Sequence, residues 1–273
     1  MSIKAACVMV VKNEDDLVEP WLFYHSELFG LEHLYVFDNG STNSGTLAVL
    51  ERYSKLGVNV DYSRKTLEDH RSRSLWLGSF IKGLANDDYD FILPLDCDEF
   101  FALRDVNQII RCDKPSILAE LETLAGKHAI FQAYHSYPNL IGKTGVYMNW
   151  GQKKHFFSRR SFKTTDHGFH NVTGTDGAAF ENTDFAYIHY HYKPFSIMVA
   201  HSKQKLSRDY DVSDISNIPA ANRLGQFLHM APEKYKEFVD QFKNHKKYSA
   251  PELQETLSRG GLKLPFADYT IPD

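Results

Sequence analysis

The chain has 273 residues, of which 42% are hydrophobic and 24% are charged, proportions that are ordinary for a globular protein. Its formal net charge of −4 excludes a general nucleic-acid-binding surface, because such surfaces are basic. Three cysteines without metal-type spacing exclude a disulfide framework and favour a reducing compartment. Residues 1–4 carry no signal-peptide pattern, and no apolar run approaches the roughly 18 residues that span a membrane. We therefore expect a cytoplasmic protein, with any membrane contact peripheral.

Strand and helix patterns alternate through the first part of the chain. Apolar runs predict strands at residues 5–11, 33–37, 58–62 and 90–95. Apolar side chains at helical spacing predict helices at residues 15–29, 41–55 and 69–85, the second capped by Ser41 or Thr42. Such alternation with short loops predicts an α/β fold, in which a mostly parallel sheet is flanked by helices on both faces.

The alternation weakens after residue 98. A helix is predicted at residues 115–125, strands at 129–134 and 185–192, and a further helix at 195–208. Residues 135–184 are rich in Gly, Asn, Thr and His, which predicts strands joined by long loops. Residues 216–260 predict two or three short helices, and no convincing linker divides the chain.

An acidic run, Asp96, Cys97, Asp98 and Glu99, follows the fourth predicted strand. Carboxylates at positions i and i+2 of an extended backbone point to one side, and they repel each other unless a cation lies between them. Carboxylate oxygens suit Mg2+ or Mn2+, which commonly also hold substrate phosphates. Asp98, with or without Asp96, is therefore the predicted metal ligand, although a solvated acidic turn remains an alternative for these residues alone.

Polar clusters follow each of the first strands, where the ligands of an open parallel sheet bind. These clusters are residues 12–14, residues 38–42, Arg64 with Lys65, and residues 96–99. Because folding brings the strand ends together, we predict one nucleotide-binding crevice. Asp38 is predicted to contact a base or ribose, Lys12, Asn13 and Glu14 to line the pocket, and Arg71 and Arg73 to bind phosphate. The alternatives are a simple turn at residues 38–40 and solvated arginines.

Five segments of the sequence resemble glycosyltransferase family 2-like proteins, most nearly the branch that is similar to family 92. They are residues 10–14, 21–25, 30–33, 37–43 and 95–100, which read VVKNE, WLFYH, GLEH, FDNGSTN and LDCDEF. The resemblance covers residues 3–102 well and extends weakly to about residue 208. It implies a GT-A (Rossmann-like) fold, a nucleoside diphosphate sugar donor, Mn2+ or Mg2+, and inversion at the anomeric carbon.

Some site residues are carried over by position. Asp38 resembles the nucleoside-contacting acid of the family, and Asp96 and Asp98 resemble its DxD metal motif. Residues 71–74 read RSRS, where many family members have an Arg-Asn pair, so the chain departs from the family pattern at its predicted phosphate contacts.

Histidines in the second half offer further metal ligands. His189 and His191 lie in a predicted strand, so both imidazoles are expected to face one way, and one of them is predicted to complete the metal shell. The alternative is a hydrogen-bonded core histidine. Lys193, with Lys203 or Lys205, is predicted to neutralise the leaving diphosphate, the alternative being solvent exposure.

The general base and the acceptor site are predicted to lie in the loop-rich region. Inversion needs a carboxylate or a histidine that takes the acceptor hydroxyl proton. Asp166 is the first candidate and Asp176 the second, ahead of Glu181 and Asp184, and the alternative for each is a turn or cap residue. Trp150 and His155, which resemble a family loop, are predicted to line the acceptor, with a packed indole as the alternative.

Together these features predict a metal-dependent inverting glycosyltransferase of hexosyltransferase type. It is expected to move a sugar, most simply from a UDP-linked donor, to a glycan or glycolipid in polysaccharide biosynthesis. Residues 1–210 are predicted to form the catalytic domain, with a nucleotide-sugar-binding half (1–102) and an acceptor and metal-completing half (103–210). Residues 211–273 are predicted to be a helical extension packed on it. A metal-dependent phosphohydrolase and a non-catalytic nucleotide-sugar-binding module are the alternatives.

Overall fold

The fold is described from a computed structural model. The structure describes residues 3–84, 87–207, 209–214 and 244–269, together with residues 218, 237, 240 and 242. Much of the predicted helical extension at residues 211–273 lies outside the described residues. Within the part of the chain described, no helix is both long and apolar enough to cross a bilayer.

The first part of the chain alternates strands with helices, as predicted. The strands are β1 (Ala5–Val11), β2 (Leu34–Asp38), β3 (Asn59–Asp61) and β4 (Phe91–Pro94). The helices are α1 (Val18–Phe29), α2 (Ser44–Leu56), α3 (Leu67–Arg71) and α4 (Arg73–Leu84). Gly30 ends α1 with a φ of 102°, a conformation that glycine adopts without a steric cost.

Antiparallel strands dominate the second part of the chain. Its strands are β5 (Glu99–Arg104), β6 (Ile110–Arg111), β7 (Ala129–Leu140), β8 (Lys143–Met148), β9 (Lys154–Ser158), β10 (Phe162–Thr165), β11 (Val172–Gly174), β12 (Ala179–His189) and β13 (Lys247–Ser249). Its helices are α5 (Lys114–Leu124), α6 (Phe195–Leu206) and α7 (Pro251–Arg259).

One mixed sheet of 11 strands organises the molecule, and its main path runs β3-β2-β1-β4-β9-β7-β12-β5-β6. Strands β3, β2, β1 and β4 are parallel, β9 is antiparallel to both of its neighbours, and β12 is parallel to β7 but antiparallel to β5. The predicted α/β class is confirmed. One edge of the sheet therefore collects the carboxyl ends of β1, β2, β4 and β12 with the starts of β5 and β9.

Helices cover both faces of this sheet, as predicted. On one face, Trp21 and Tyr24 of α1 are fully buried in a cluster that includes Phe100 and Phe131. On the other face, Ile81 of α4 packs in a second cluster of buried apolar side chains. Burial of each such side chain stabilises the fold by about 1.5–3 kcal/mol relative to exposure, so the strands that carry the polar edge are held from both sides.

Several element boundaries differ from the sequence prediction. The cap of α2 is Asn43, whose side chain accepts a hydrogen bond from Thr46 N at 3.1 Å. Ser41 instead donates its backbone N–H to Asp38. The predicted third helix is divided at Ser72, the C-cap of α3, whose hydroxyl donates to the Glu68 carbonyl at 2.7 Å.

Strand pairing accounts for two further differences. Strand β7 extends to Leu140 because its second half pairs with β12 and β8. Residues Lys247–Ser249 form strand β13 on β8, although a helical pattern was predicted for residues 216–260. These contacts join segments far apart in sequence, and local periodicity therefore does not reveal them.

Candidate functional site

A cavity of about 670 Å3, here called the cleft, opens at the polar edge of the sheet. This volume is in the range of small-molecule and cofactor sites. Its lining residues come from both parts of the chain: Val10, Val11, Lys12, Glu14, Asn39, Leu67, His70, Arg71, Arg73, Asp96, Cys97, Asp98, His167, His189, His191, His201, Gln204, Lys205 and Asp209. The cleft thus brings the acidic run, both His-x-His histidines and several cations together.

The acidic run forms a turn between β4 and β5. Glu99 N donates to Asp96 O at 3.0 Å, and Asp96 N donates to Glu99 Oε2 at 2.8 Å. The backbone is therefore not extended at this point, as the sequence prediction assumed. Asp96 and Asp98 nevertheless both line the cleft.

The Asp98 carboxylate lies among cationic groups. Its oxygens are 3.6 Å from His189 Nε2 and 4.0 Å from Lys193 Nζ. Burial acts to raise the pKa of Asp98, but His189 and Lys193 outweigh burial and hold that pKa well below its usual range. Asp98 is therefore an ionised carboxylate facing the cleft.

Asp96 has a different partner, the buried ammonium of Lys154 at the start of β9. Lys154 Nζ donates to Asp96 Oδ2 at 2.9 Å and also to Glu99 Oε2. Burial acts to lower the pKa of Lys154, but the two carboxylates raise it above its usual value. Burial acts to raise the pKa of Asp96, whereas Lys154 and Arg73 lower it. The charge of Asp96 is thus already balanced within the protein.

The two predicted metal-ligating histidines lie beside this turn. His189 ends β12, where it pairs with Glu99, while His191 follows the strand, and their ring centroids are 5.0 Å apart. Burial acts to lower the pKa of His189, but Asp98 outweighs burial and raises it. Among the described residues, no group of three or more His, Cys, Asp or Glu side chains is arranged to enclose an ion by itself.

A second charged group links the loop after β1 to the segment that leads into α6. Lys193 Nζ donates to Glu14 Oε1 at 2.9 Å and to Oε2 at 2.7 Å, and His201 Nδ1 is 3.5 Å from Glu14 Oε1. Burial raises the pKa of Glu14 to about 7 although Lys193 acts in the opposite direction. Burial, with the charge of Lys193, lowers the pKa of His201 to about 4.

Asn13 and Asp38 organise the loops next to the cleft. Asn13 has a φ of 55°, and its Oδ1 accepts from the backbone N–H groups of Thr42 and Asn43 at 2.7 and 3.0 Å. Both carboxylate oxygens of the buried Asp38 are 3.1 Å from Ser41 N. Neither side chain is part of the cleft lining, and Asn13 lines an adjacent cavity of about 570 Å3.

The two predicted phosphate-binding arginines both line the cleft. Arg71 Nη2 donates to Asp209 Oδ1 at 3.0 Å. Arg73 donates to the backbone carbonyl of His167, and its charge lowers the pKa of Asp96. Two guanidinium groups therefore line the cleft, and that of Arg73 acts on Asp96.

The predicted base and acceptor residues are not part of the described cleft lining. The Asp166 carboxylate accepts four hydrogen bonds within its own loop, and Asp176 lines a separate cavity of about 670 Å3. His155 is buried, with its Nδ1–H directed at Phe169 O at 3.0 Å. Trp150 is partly exposed and lies edge-on to the Phe242 ring, with centroids 5.7 Å apart.

Some cleft residues were not identified from the sequence. Four of them line the cleft, namely His70, His167, His201 and Gln204. The fifth is Lys154, which hydrogen-bonds to Asp96 of the cleft lining. No local spacing marks these residues, because the histidines and Gln204 reach the cleft through the packing of a hairpin or helix, and Lys154 reaches it through the pairing of β9 with β4. The one available signal was the position of His167 beside the predicted base Asp166.

No protein-family model matches the chain, and no curated protein matches its sequence. Among solved structures, it resembles the mannosyltransferase PcManGT from Pyrobaculum calidifontis in complex with GDP-Man and Mn2+, with 13% identity over 96% of this chain and 80% of that chain and a TM-score of 0.44. It also resembles S. aureus TarS 1-349, with 11% identity over 88% of this chain and 73% of that chain and a TM-score of 0.40. Glucosyl-3-phosphoglycerate synthase from Mycobacterium tuberculosis, in complex with phosphoglyceric acid, has 17% identity over 76% of this chain and 80% of that chain, and a TM-score of 0.37. Likeness at this level carries no inference about activity.

Proposed function

We propose that the protein is a metal-dependent glycosyltransferase that moves a sugar from a nucleoside diphosphate sugar to a hydroxyl acceptor. One observation carries this proposal: aspartates, imidazoles and guanidinium groups line a single cleft at the carboxyl ends of the parallel strands. Such strand ends are where open α/β sheets bind nucleotides. The combination of anionic and cationic groups suits a divalent ion and the diphosphate that it would bind.

The residues around Asp98 fit a divalent ion. Asp98 and His189 would hold Mn2+ or Mg2+, with His191 and Asp96 beside them, and substrate phosphates would complete the shell, as is common for these metals. Sharing the metal ligands between protein and substrate fits the finding that, among the described residues, no three His, Cys, Asp or Glu side chains form a metal site by themselves. The bound ion would supply neutralisation of the negative charge on the leaving diphosphate.

The cationic side chains of the cleft would bind the rest of the diphosphate. Arg71 and Arg73 present forked donors suited to phosphate oxygens, and Lys12 and Lys205 line the same cavity. Lys193 contacts both Glu14 and Asp98, so it supports the metal side of the site through its charge. These groups would stabilise the charge that develops as the sugar departs.

Finer features belong to the same proposal. They are inversion at the anomeric carbon, a UDP-linked donor, a glycan or glycolipid acceptor, and a cytoplasmic location with peripheral membrane contact. Residues 1–102 would bind the donor and residues 103–210 would complete the metal and acceptor sites. The contribution of both ranges to one cleft supports this division.

The alternative of a metal-dependent phosphohydrolase is less well supported. Such enzymes activate a metal-bound water, for which the protein must fix the ion in a defined coordination geometry. The described part of the chain offers no three-ligand group for this purpose. The donor hydrolysis experiment below distinguishes the glycosyltransferase from a binding module without catalysis.

Donor binding and donor hydrolysis test the proposal. Calorimetric titration of UDP and GDP, with Mn2+ or with EDTA, should show metal-dependent binding that Asp98→Asn abolishes. Asp88→Asn is the matched control, because Asp88 lies outside the cleft and pairs with Arg159. Slow release of UDP or GDP from UDP-glucose, UDP-galactose, UDP-N-acetylglucosamine or GDP-mannose should accompany binding.

Each alternative predicts a different result. Hydrolysis of simple phosphoesters without release from any sugar nucleotide would favour the phosphohydrolase. Metal-dependent binding without turnover, even with glycan and glycolipid acceptors, would identify a binding module. Binding that is equally tight in EDTA would contradict the proposed role of the metal.

A further inference from the structure

A two-stranded hairpin that contributes to the cleft is fixed against the sheet. Strands β10 and β11 form this hairpin, and its Phe162 and Phe169 are buried in one cluster with Leu77 and Ile81 of α4. Phe169 has a φ of 58°, a conformation that is rare for a bulky side chain and persists only where packing holds it. The hairpin loop is therefore an anchored part of the cleft wall.

Asp166 holds the conformation of this loop. Its Oδ1 accepts from His170 N at 2.9 Å and from Gly168 N at 3.3 Å. Its Oδ2 accepts from the backbone N and the side-chain Nδ2 of Asn171 at 3.1 and 2.7 Å. These hydrogen bonds lower the pKa of Asp166 even though burial acts to raise it. The carboxylate therefore serves the loop itself.

The neighbouring residue, His167, lines the cleft. Its backbone carbonyl accepts from Arg73, which ties it to the side of the cleft that holds Asp96. Its ring lies edge-on to that of His70, with centroids 6.1 Å apart. Within the described residues, neither ring nitrogen of His167 has a hydrogen-bond partner. His167 is thus a lining residue of the cleft whose two ring nitrogens have no hydrogen bond to the described residues.

The carboxylates of the cleft are already paired with cations. Lys154 binds Asp96 at 2.9 Å, and His189 lies 3.6 Å from Asp98. The remaining two acids are also occupied: Glu14 accepts twice from Lys193, and Asp209 accepts from Arg71 at 3.0 Å. A cation beside a carboxylate makes it a weaker proton acceptor. Asp96 and Asp98 are thus less suited than an unpaired imidazole to remove a proton, and both carboxylate oxygens of Glu14 are occupied by Lys193.

Resting on the proposed glycosyltransferase function, we propose that His167 is the general base of the transfer and that Asp166 is the residue that positions it. The acceptor hydroxyl oxygen forms a bond to the anomeric carbon while the bond from that carbon to the diphosphate oxygen breaks. The electron pair of the broken bond remains on the diphosphate. The hydroxyl proton passes to a ring nitrogen of His167, and the imidazolium later releases it to solvent. Histidine suits this role because its charge changes near neutral pH.

Donor hydrolysis, in which water replaces the acceptor, tests this assignment without knowledge of the natural acceptor. His167→Ala should lower kcat for release of UDP or GDP by at least about 100-fold, the lower range of general base catalysis. The KM for the donor and its calorimetric affinity should stay unchanged. The limb of the kcat profile that rises with pH should disappear, and added imidazole should restore part of the rate.

His170→Ala is the matched control from the same loop. The His170 ring contacts the Lys153 carbonyl at 2.7 Å and the Gln152 side chain at 3.2 Å, and it is not part of the described cleft lining. This variant should retain kcat close to that of the unsubstituted chain. An equal loss in both variants, without imidazole rescue, would identify a structural role of the loop and overturn the assignment.

The remaining outcomes separate this assignment from the proposed function. If the His167→Ala variant releases UDP or GDP as fast as the unsubstituted chain does, only the assignment of the general base is overturned. No release by the unsubstituted chain from any of the four donors, with no metal-dependent nucleotide binding, would overturn the proposed function and the base together.

Discussion

Lys193 Nζ lies 2.7 Å from Glu14 Oε2, and this contact joins the segment after β12 to the loop after β1. The same ammonium is 4.0 Å from Asp98. Because the three groups come from distant parts of the sequence, the charge balance of the cleft depends on the whole sheet. The protonation of Glu14 is therefore expected to affect stability.

The pH dependence of stability should contain a contribution from Glu14. Burial raises its pKa from 4.5 to about 7, so the folded state binds more protons than the unfolded state between these values. The contribution is fully present below pH 4.5 and is lost as the pH rises to about 7. We expect a decrease of about 1–3 kcal/mol in the free energy of unfolding across this range.

Urea unfolding of the intact chain and of Glu14→Gln between pH 4.5 and pH 8 measures this effect. Glutamine resembles the protonated acid, so the variant should lack this part of the pH dependence. Parallel pH profiles for the two proteins would contradict the prediction.

Substitution of Lys154 should destabilise the fold. Lys154→Met leaves the Asp96 and Glu99 carboxylates without their shared cation, and removal of one partner from a buried ion pair costs about 3–5 kcal/mol. The loss should shrink at low pH, because both carboxylates can then be protonated. Lys154→Arg, which keeps the charge, should lose less. Thermal and urea unfolding measure the difference, and equal stability of the methionine variant would refute it.

Asp166→Ala should reduce turnover because it loosens the loop at residues 166–171, and it should leave donor binding unchanged. The substitution removes acceptors for the backbone of His170 and Asn171, so the amides of residues 168–171 should exchange hydrogen faster. We expect lower kcat for donor hydrolysis with unchanged nucleotide affinity. Asp166→Asn, which keeps one carbonyl oxygen, should have an intermediate effect. Unchanged exchange together with normal kcat would show that the loop does not depend on this carboxylate.

Arg71→Gln should weaken the binding of UDP much more than that of uridine. A hydrogen bond to a charged group contributes about 1.5–3 kcal/mol, so we expect at least about a 10-fold weaker affinity for the diphosphate. Arg52→Gln is the control, because Arg52 pairs with Glu19 outside the cleft. Competition titrations with the two ligands measure the ratio, and an equal loss for both would place Arg71 away from the phosphates.

Much of the fold was predictable because its first part follows local rules. Apolar runs such as residues 5–11 and 90–95 are buried strands, and parallel strands bring their carboxyl ends to one edge. Asp96 and Asp98 consequently reached the cleft as expected from their places after a strand, and His189 reached it at the end of β12, although the strand was predicted to continue to residue 192. The division of the third helix at Ser72 was harder to predict, since it depends on a side-chain hydrogen bond to the Glu68 carbonyl.

The remaining site residues depend on side-chain direction and long-range packing. Asp38 lies at the carboxyl end of β2, yet its carboxylate turns back to Ser41 N, and a sequence cannot distinguish this direction from an outward one. The Asp166 carboxylate likewise accepts hydrogen bonds from the backbone of its own loop. Lys154 reaches Asp96 through the antiparallel addition of β9 to β4, a pairing between segments that share no short-range pattern.

The placement of β12 between β7 and β5 has a consequence for biosynthesis. During translation, the Asp98 turn is made long before the ribosome adds His189 and Lys193. A nascent polypeptide that ends before β12 therefore holds the acidic turn without its late partners. Under the proposed function, such a fragment would leave sugar nucleotides intact until β12 has inserted.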